Sequence, residues 1–94
     1  MKTSGLTGAA LDWAVAKCEG VDLTHGLTDD ERYSTNWAQG GPIIEREGMG
    51  VFKLGYVRGW ASGFQSGPTP LIAAMRCYCC AVLGDEVEIP EELK

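Results

Sequence analysis

Apolar residues recur at helical spacing near both ends of the chain, while the stretch between them alternates or breaks at glycine. Leu11, Ala14, Val15 and Cys18 follow an i, i+3, i+4, i+7 pattern, which predicts a helix over Leu6–Glu19 with one buried face. Thr7 is placed to cap its start and Gly20 to close its end. Trp13 falls on the opposite side, against a loop, a second subunit or a ligand. Leu71, Ala74, Met75, Tyr78 and Val82 form a second apolar face at i, i+3, i+4, i+7 and i+11. That pattern predicts a helix over Thr69–Leu83, with Thr69 as N-cap, Pro70 at the first helical position and Gly84 as its stop.

The middle of the chain predicts strands at Pro42–Glu47, Met49–Leu54 and Tyr56–Ala61, with Gly48 and Gly55 at the turns. Alternation places Tyr56, Arg58 and Trp60 on one face and Val57, Gly59 and Ala61 on the other. Ser62–Pro68 is expected to be a flexible loop and Val21–Glu31 a polar, turn-rich one. Val87 and Ile89 alternate with acids as in a short edge strand that Pro90 would end. The order helix, strands, helix, tail implies an α+β domain, with two helices packed on one face of a small antiparallel sheet. It is a single domain over residues 1–94, of which 85–94 form an acidic C-terminal tail.

Ninety-four residues build one modest core, because a domain this small buries only roughly 60% of its unfolded surface; association into a homo-oligomer is the expected way to bury more. A net charge of −5 and a pI near 4.7 argue against duplex nucleic acid as a partner, which needs a broad basic surface. A small anion held by two or three arginines stays compatible with that balance. No apolar run approaches the roughly 20 residues of a membrane span, and the N-terminus lacks the apolar stretch of a signal peptide. The expected place of action is therefore the cytoplasm, without a membrane partner, with Cys18, Cys77, Cys79 and Cys80 as thiols.

Sequence chemistry is sparse. Cys77-Tyr78-Cys79-Cys80 contains a C-x-x-C spacing, but it lies well inside the predicted helix, beyond the N-terminal turn whose dipole would favour a thiolate. A zinc site would need two further ligands, and only Cys18 and His25 are left. Asp29-Asp30-Glu31 reads as a solvated loop. Neither a hydrolase elbow nor a metalloprotease or phosphate-loop motif occurs, so no enzymatic activity, catalytic residue, metal or cofactor is expected. The better candidate is the corner Asn36-Trp37-Ala38-Gln39-Gly40-Gly41-Pro42. Trp37 offers a π-face, on which stacking of a base is worth roughly 1–3 kcal/mol. Asn36 and Gln39 carry the donors and acceptors that read ring edges. Gly40 and Gly41 permit close backbone approach, and Arg58 and Trp60 would add a phosphate contact and a second aromatic. The competing reading makes Trp37 and Trp60 core residues and the glycines only a turn.

The blocks Tyr33–Gly48, Gly67–Tyr78 and Leu83–Leu93, with the opening Leu6–Ala16, resemble the NinX-like family of small tailed-phage and prophage proteins. The resemblance covers nearly the whole chain and is loosest over Met49–Ser66. It implies a phage origin, an accessory role and the cytoplasm of an infected bacterium, and it brings no catalytic residues with it. Small phage accessory proteins commonly act by binding. The first expectation is thus capture of a nucleotide-derived small molecule, such as a host anti-phage immune signal, by Asn36, Trp37, Gln39, Gly40, Gly41, Arg58 and Trp60. The alternative is a protein-interaction module that inhibits a host or phage protein through its acidic tail.

Overall fold

The computed structural model describes residues 1–24, 26–53, 59–62 and 65–93. It contains helices α1 (Gly8–Cys18), α2 (Trp37–Glu47) and α3 (Pro70–Leu83), and strands β1 (Phe52–Lys53), β2 (Trp60–Ser62) and β3 (Gln65–Gly67). The strands form one antiparallel sheet in the order β1-β2-β3, in the register Phe52↔Ala61 and Ala61↔Ser66. The fold is α+β with helices on a small antiparallel sheet, as the sequence pattern implies. Helix α3 is the element that lies on β2 and β3, and α1 and α2 pack against α3.

The two end helices form for the reasons their sequences suggest. In α3 the Thr69 hydroxyl accepts from the Ile72 N–H (3.1 Å), Pro70 opens the helix and Gly84 leaves it at φ 88°. Leu71, Ala74, Met75, Tyr78 and Cys79 bury its inner face, whereas Val82 is half-exposed. In α1 Leu11, Ala14 and Val15 are buried, together with Ala10 and Ala16. Thr7 stands at the N-cap position but makes no hydrogen bond with its side chain.

The predicted strand Pro42–Glu47 is instead the second half of a helix. Asn36 caps α2 by accepting from the Ala38 N–H (2.9 Å), and Gly48, left-handed at φ 63°, closes it. Pro42 sits inside, where it leaves the Ala38 carbonyl without its helical donor. A proline also clashes with the Cβ of a helical residue before it; Gly41 has none, and this lets the helix run through. Ile43 and Ile44 face inward, one buried and one packed at the core's edge. The expected loop Ser62–Pro68 contains β3. A Cβ at Gly67 would lie 2.9 Å from both the Ala73 nitrogen and Ile72 Cγ2, so glycine there allows α3 to rest on the strand.

The acidic tail is built into the domain. Thr3 N–H donates to the Asp85 carbonyl (2.9 Å) and Val87 N–H to the Met1 carbonyl (2.9 Å), around a bridge between Lys2 and Glu86. Val87 and Ile89 are buried in the main core, and Leu93 packs against it. At the other end of the bundle Arg46 of α2 clasps Glu19, just past α1, with two bonds (2.9 and 2.7 Å). The Tyr78 hydroxyl of α3 donates to the same carboxylate (2.5 Å), so one cluster ties the three helices.

Candidate functional site

The sequence-predicted residues divide into those that shape α2 and those that face outward. The Asn36 side chain is committed to the helix cap. Gln39 accepts from the Arg32 N–H (2.6 Å) and donates to the Asp29 carbonyl (2.8 Å), which staples the preceding loop onto the helix. Neither amide is directed at a ligand. Gly40 is buried: a Cβ there would lie 2.5 Å from Leu71 Cδ1 and closer still to the Tyr33 carbonyl oxygen. The close approach that sequence reasoning reserved for a ligand is thus made by the protein's own backbone. At Gly41 a Cβ would meet only Trp37 Cε3, at 3.7 Å. Arg58 lies outside the described residues, as does His25. Of Trp60 the backbone is described, paired with Lys53 and Gly67.

Trp37 is 52% exposed, which excludes the core reading for this residue. It lines an open hollow of about 200 Å³ with Ser34, Thr35, Thr69, Leu71 and Ile72. Three hydroxyl-bearing residues and two aliphatic ones therefore surround the indole. The volume suits a single ring and its substituents, below the roughly 300–1,000 Å³ of sites that enclose drug-sized ligands.

Ser34 is the residue that sequence reasoning missed. It is 2% exposed, and its Oγ is the one buried side-chain oxygen or nitrogen among the described residues without a hydrogen-bond partner. Its backbone N–H donates to Asp12 Oδ1 (2.8 Å). The Ser34 hydroxyl stands near enough to that carboxylate to favour its charge, though outside hydrogen-bond geometry. Asp12 is itself buried on α1. Burial raises its pKa above the usual aspartate value, against the opposing pull of Ser34 and of the Arg32 charge. The available signal was an Asp inside the apolar run Ala9-Ala10-Leu11-Asp12-Trp13-Ala14-Val15, since a carboxylate is rarely buried without a specific partner.

A second hollow, of about 350 Å³, also has Thr35 in its lining. Gly8 and Ala9 at the start of α1 line it, together with Asp12, Asp29, Glu31 and Arg32. Arg32 is engaged with Asp29 Oδ1 through Nε (3.2 Å) and Nη2 (2.8 Å). Glu31 accepts from the Thr28 N–H (3.2 Å) and from its hydroxyl.

The cysteines are free thiols. Cys79 is buried, and its pKa is pushed up by its hydrogen bond with Cys18 and by burial. Cys77 and Cys80 border a small apolar hollow of about 140 Å³, and Cys80 Sγ lies 3.4 Å from Asp85 Oδ1. Among the described residues no three His, Cys, Asp or Glu side chains are grouped to hold a metal ion, and no helix is long and apolar enough to cross a membrane.

The family model described as Bacteriophage P22, NinX matches residues 2–81, which leaves Met1 and the last 13 residues outside it. A search of curated proteins found no match to the chain.

Proposed function

The chain belongs to the Bacteriophage P22 NinX family, and on that premise we propose that it is a non-enzymatic phage accessory protein that captures a small nucleotide-like ligand on Trp37. The observation that carries this reading is the half-exposed indole set beside a hollow lined by Ser34, Thr35 and Thr69. A large apolar ring left in water is a cost that a stacked aromatic ligand removes, and the hydroxyls both donate to and accept from the edge of such a ligand. Capture without turnover accounts for a site in which no nucleophile and base are paired. A nucleotide-derived host defence signal is the ligand class that such capture would serve in an infected bacterium.

Native mass spectrometry with cyclic dinucleotides, cyclic ADP-ribose isomers and related nucleotides tests this reading directly. The expected result is an intact, stoichiometric adduct, lost in Trp37→Ala while the fold is kept and its stability stays within about 0.5 kcal/mol of the parent, as for other exposed positions. A free protein across the whole panel, or an adduct indifferent to Trp37→Ala, refutes it. The same spectra report the oligomeric state.

A further inference from the structure

The run Cys77-Tyr78-Cys79-Cys80 plays no part in capture on Trp37, and α3 turns its thiols in different directions. Cys79 points into the core, beside Cys18. Cys77 and Cys80 stand away from it, half-buried, and border one hollow of about 140 Å³ together with Gln65 and Ala81. Their spacing explains this, because residues three apart on a helix are surface neighbours. The Cys80 thiol donates to Asp85 Oδ1 (3.4 Å), just past the end of the helix.

The helix geometry decides what can join two thiols so placed. A disulfide needs Cβ atoms about 3.5–4.5 Å apart, whereas Cβ atoms at i and i+3 of a helix are about 5–6 Å apart. Closing that gap would distort α3 at Tyr78 and Cys79, whose side chains are fixed in the core. A single ion bonded to both sulfurs spans more: two metal–thiolate bonds of about 2.3 Å in line hold the sulfurs about 4.6 Å apart. Zinc asks for four ligands, and among the described residues no three His, Cys, Asp or Glu side chains are grouped to supply even most of them. A soft ion that selects thiolates and is satisfied by two of them matches the pair. We infer that Cys77 and Cys80 form a two-thiolate site for a soft monovalent metal ion of the copper(I) type. Binding exchanges two S–H bonds for two metal–sulfur bonds and releases two protons. The exposed Asp85 carboxylate, which already accepts from Cys80, gives one of those protons a path to solvent. The exposed Ala81 beside the pair leaves the ion a way in.

Anaerobic titration of the full, reduced chain with copper(I), in competition with a chromogenic copper(I) chelator, tests the site. The expected result is one ion per chain, held at least about tenfold more weakly by Cys77→Ser and by Cys80→Ser, with circular dichroism as the check on folding. Cys18→Ser is expected to keep the ion. In the parent chain, copper(I) should protect Cys77 and Cys80 from iodoacetamide, as mapped by peptide mass spectrometry, a readout that needs no variant. Failure of the chain to compete with the chelator, or unchanged alkylation of Cys77 and Cys80, overturns the site. So does an ion retained by the Cys77→Ser/Cys80→Ser double variant, or one lost in Cys18→Ser, which would assign it to the inner pair of thiols. Zinc bound more tightly than copper(I) would overturn the two-ligand geometry.

Discussion

Gly40→Ala is the sharpest probe of how the helix that carries Trp37 is seated. Two opposing magnitudes decide its sign. In a helix interior alanine is favoured over glycine by about 1 kcal/mol. Against this, the new methyl would sit 2.5 Å from Leu71 Cδ1 and nearer still to the Tyr33 carbonyl oxygen, where ordinary contact begins near 3.4 Å. The Leu71 methyl can rotate aside, but the carbonyl belongs to backbone held by the turn in which Asn36 N–H donates to the Arg32 carbonyl (2.8 Å). Relief demands that α2 back away by about 1 Å, which opens the packing of Ile43 on the core. Overpacking of this kind costs about 1–3 kcal/mol, and more where backbone must move. The net expectation is a loss of about 2 kcal/mol, or roughly 10 °C in melting temperature for a domain this size. Thermal unfolding followed by far-UV circular dichroism reads it. Gly41→Ala is the control: its methyl meets only Trp37 at 3.7 Å, and its helix gain is offset by the clash with the following proline, so it should stay within about 0.5 kcal/mol of the parent. A Gly40→Ala variant that melts at or above the parent temperature would refute the close seating of α2 on the Tyr33 carbonyl.

Three further outcomes follow from the same packing. Pro42 is exposed, and its replacement by alanine restores the donor to the Ala38 carbonyl, so Pro42→Ala should stabilise the fold by about 1 kcal/mol in chemical denaturation, after the loss of proline's restriction of the unfolded chain is subtracted. Glu19 has its pKa held below the usual value of 4.5, first by hydrogen bonds from Arg46 and then by Tyr78. Its contribution is therefore complete above the unfolded pKa and is lost as the pH falls through the lower folded value; screened by solvent, it is worth about 1 kcal/mol, and Glu19→Gln should flatten that part of the acid-stability curve. Deletion of residues 85–94 removes the buried Val87 and Ile89, each worth about 2 kcal/mol of burial, and should leave the domain unfolded or close to it by circular dichroism.

That last expectation bears on the alternative in which the acidic tail captures a protein partner. Asp85–Val87 already bonds with Met1–Thr3, and the apolar residues of the tail face inward. Asp85, Glu86, Glu88, Glu91 and Glu92 are exposed, so charge-neutralising substitutions among them test that reading where truncation would only unfold the protein.

The sequence was most legible where period and caps agree. Thr69, Pro70 and Gly84 bracket α3 within one residue of its observed ends, and the inward positions of α1 fall where the period puts them. The reading failed at Gly40-Gly41-Pro42, where three residues that usually end helices sit inside one. Each has a local reason. Gly40 makes room for Leu71 and a carbonyl, Gly41 spares Pro42 its clash, and Pro42 lies where the lost hydrogen bond faces solvent. None of these reasons exists before the third dimension does. β3 was hidden for the opposite cause: Gln65-Ser66-Gly67 has almost no intrinsic strand preference, and its pairing with β2 and the cover of α3 hold it in place.

The same distinction reorganises the site. Asn36, Gln39 and Gly40 were attractive because amides and glycines are what ligand sites use, and tight helix starts use them too. Here their hydrogen-bonding and steric capacity is consumed in fixing the first turn of α2 against the loop before it and against Leu71. They position Trp37 and leave it outward, beside Thr69 and Ile72 at the start of α3. An indole fixed in this way loses little conformational entropy when a flat ligand stacks on it, which is how preorganisation raises affinity without adding contacts. Two polar residues behind it carry no obvious signature in the sequence: Ser34, which the fold buries, and the Asp12 carboxylate that the Ser34 backbone N–H holds in place.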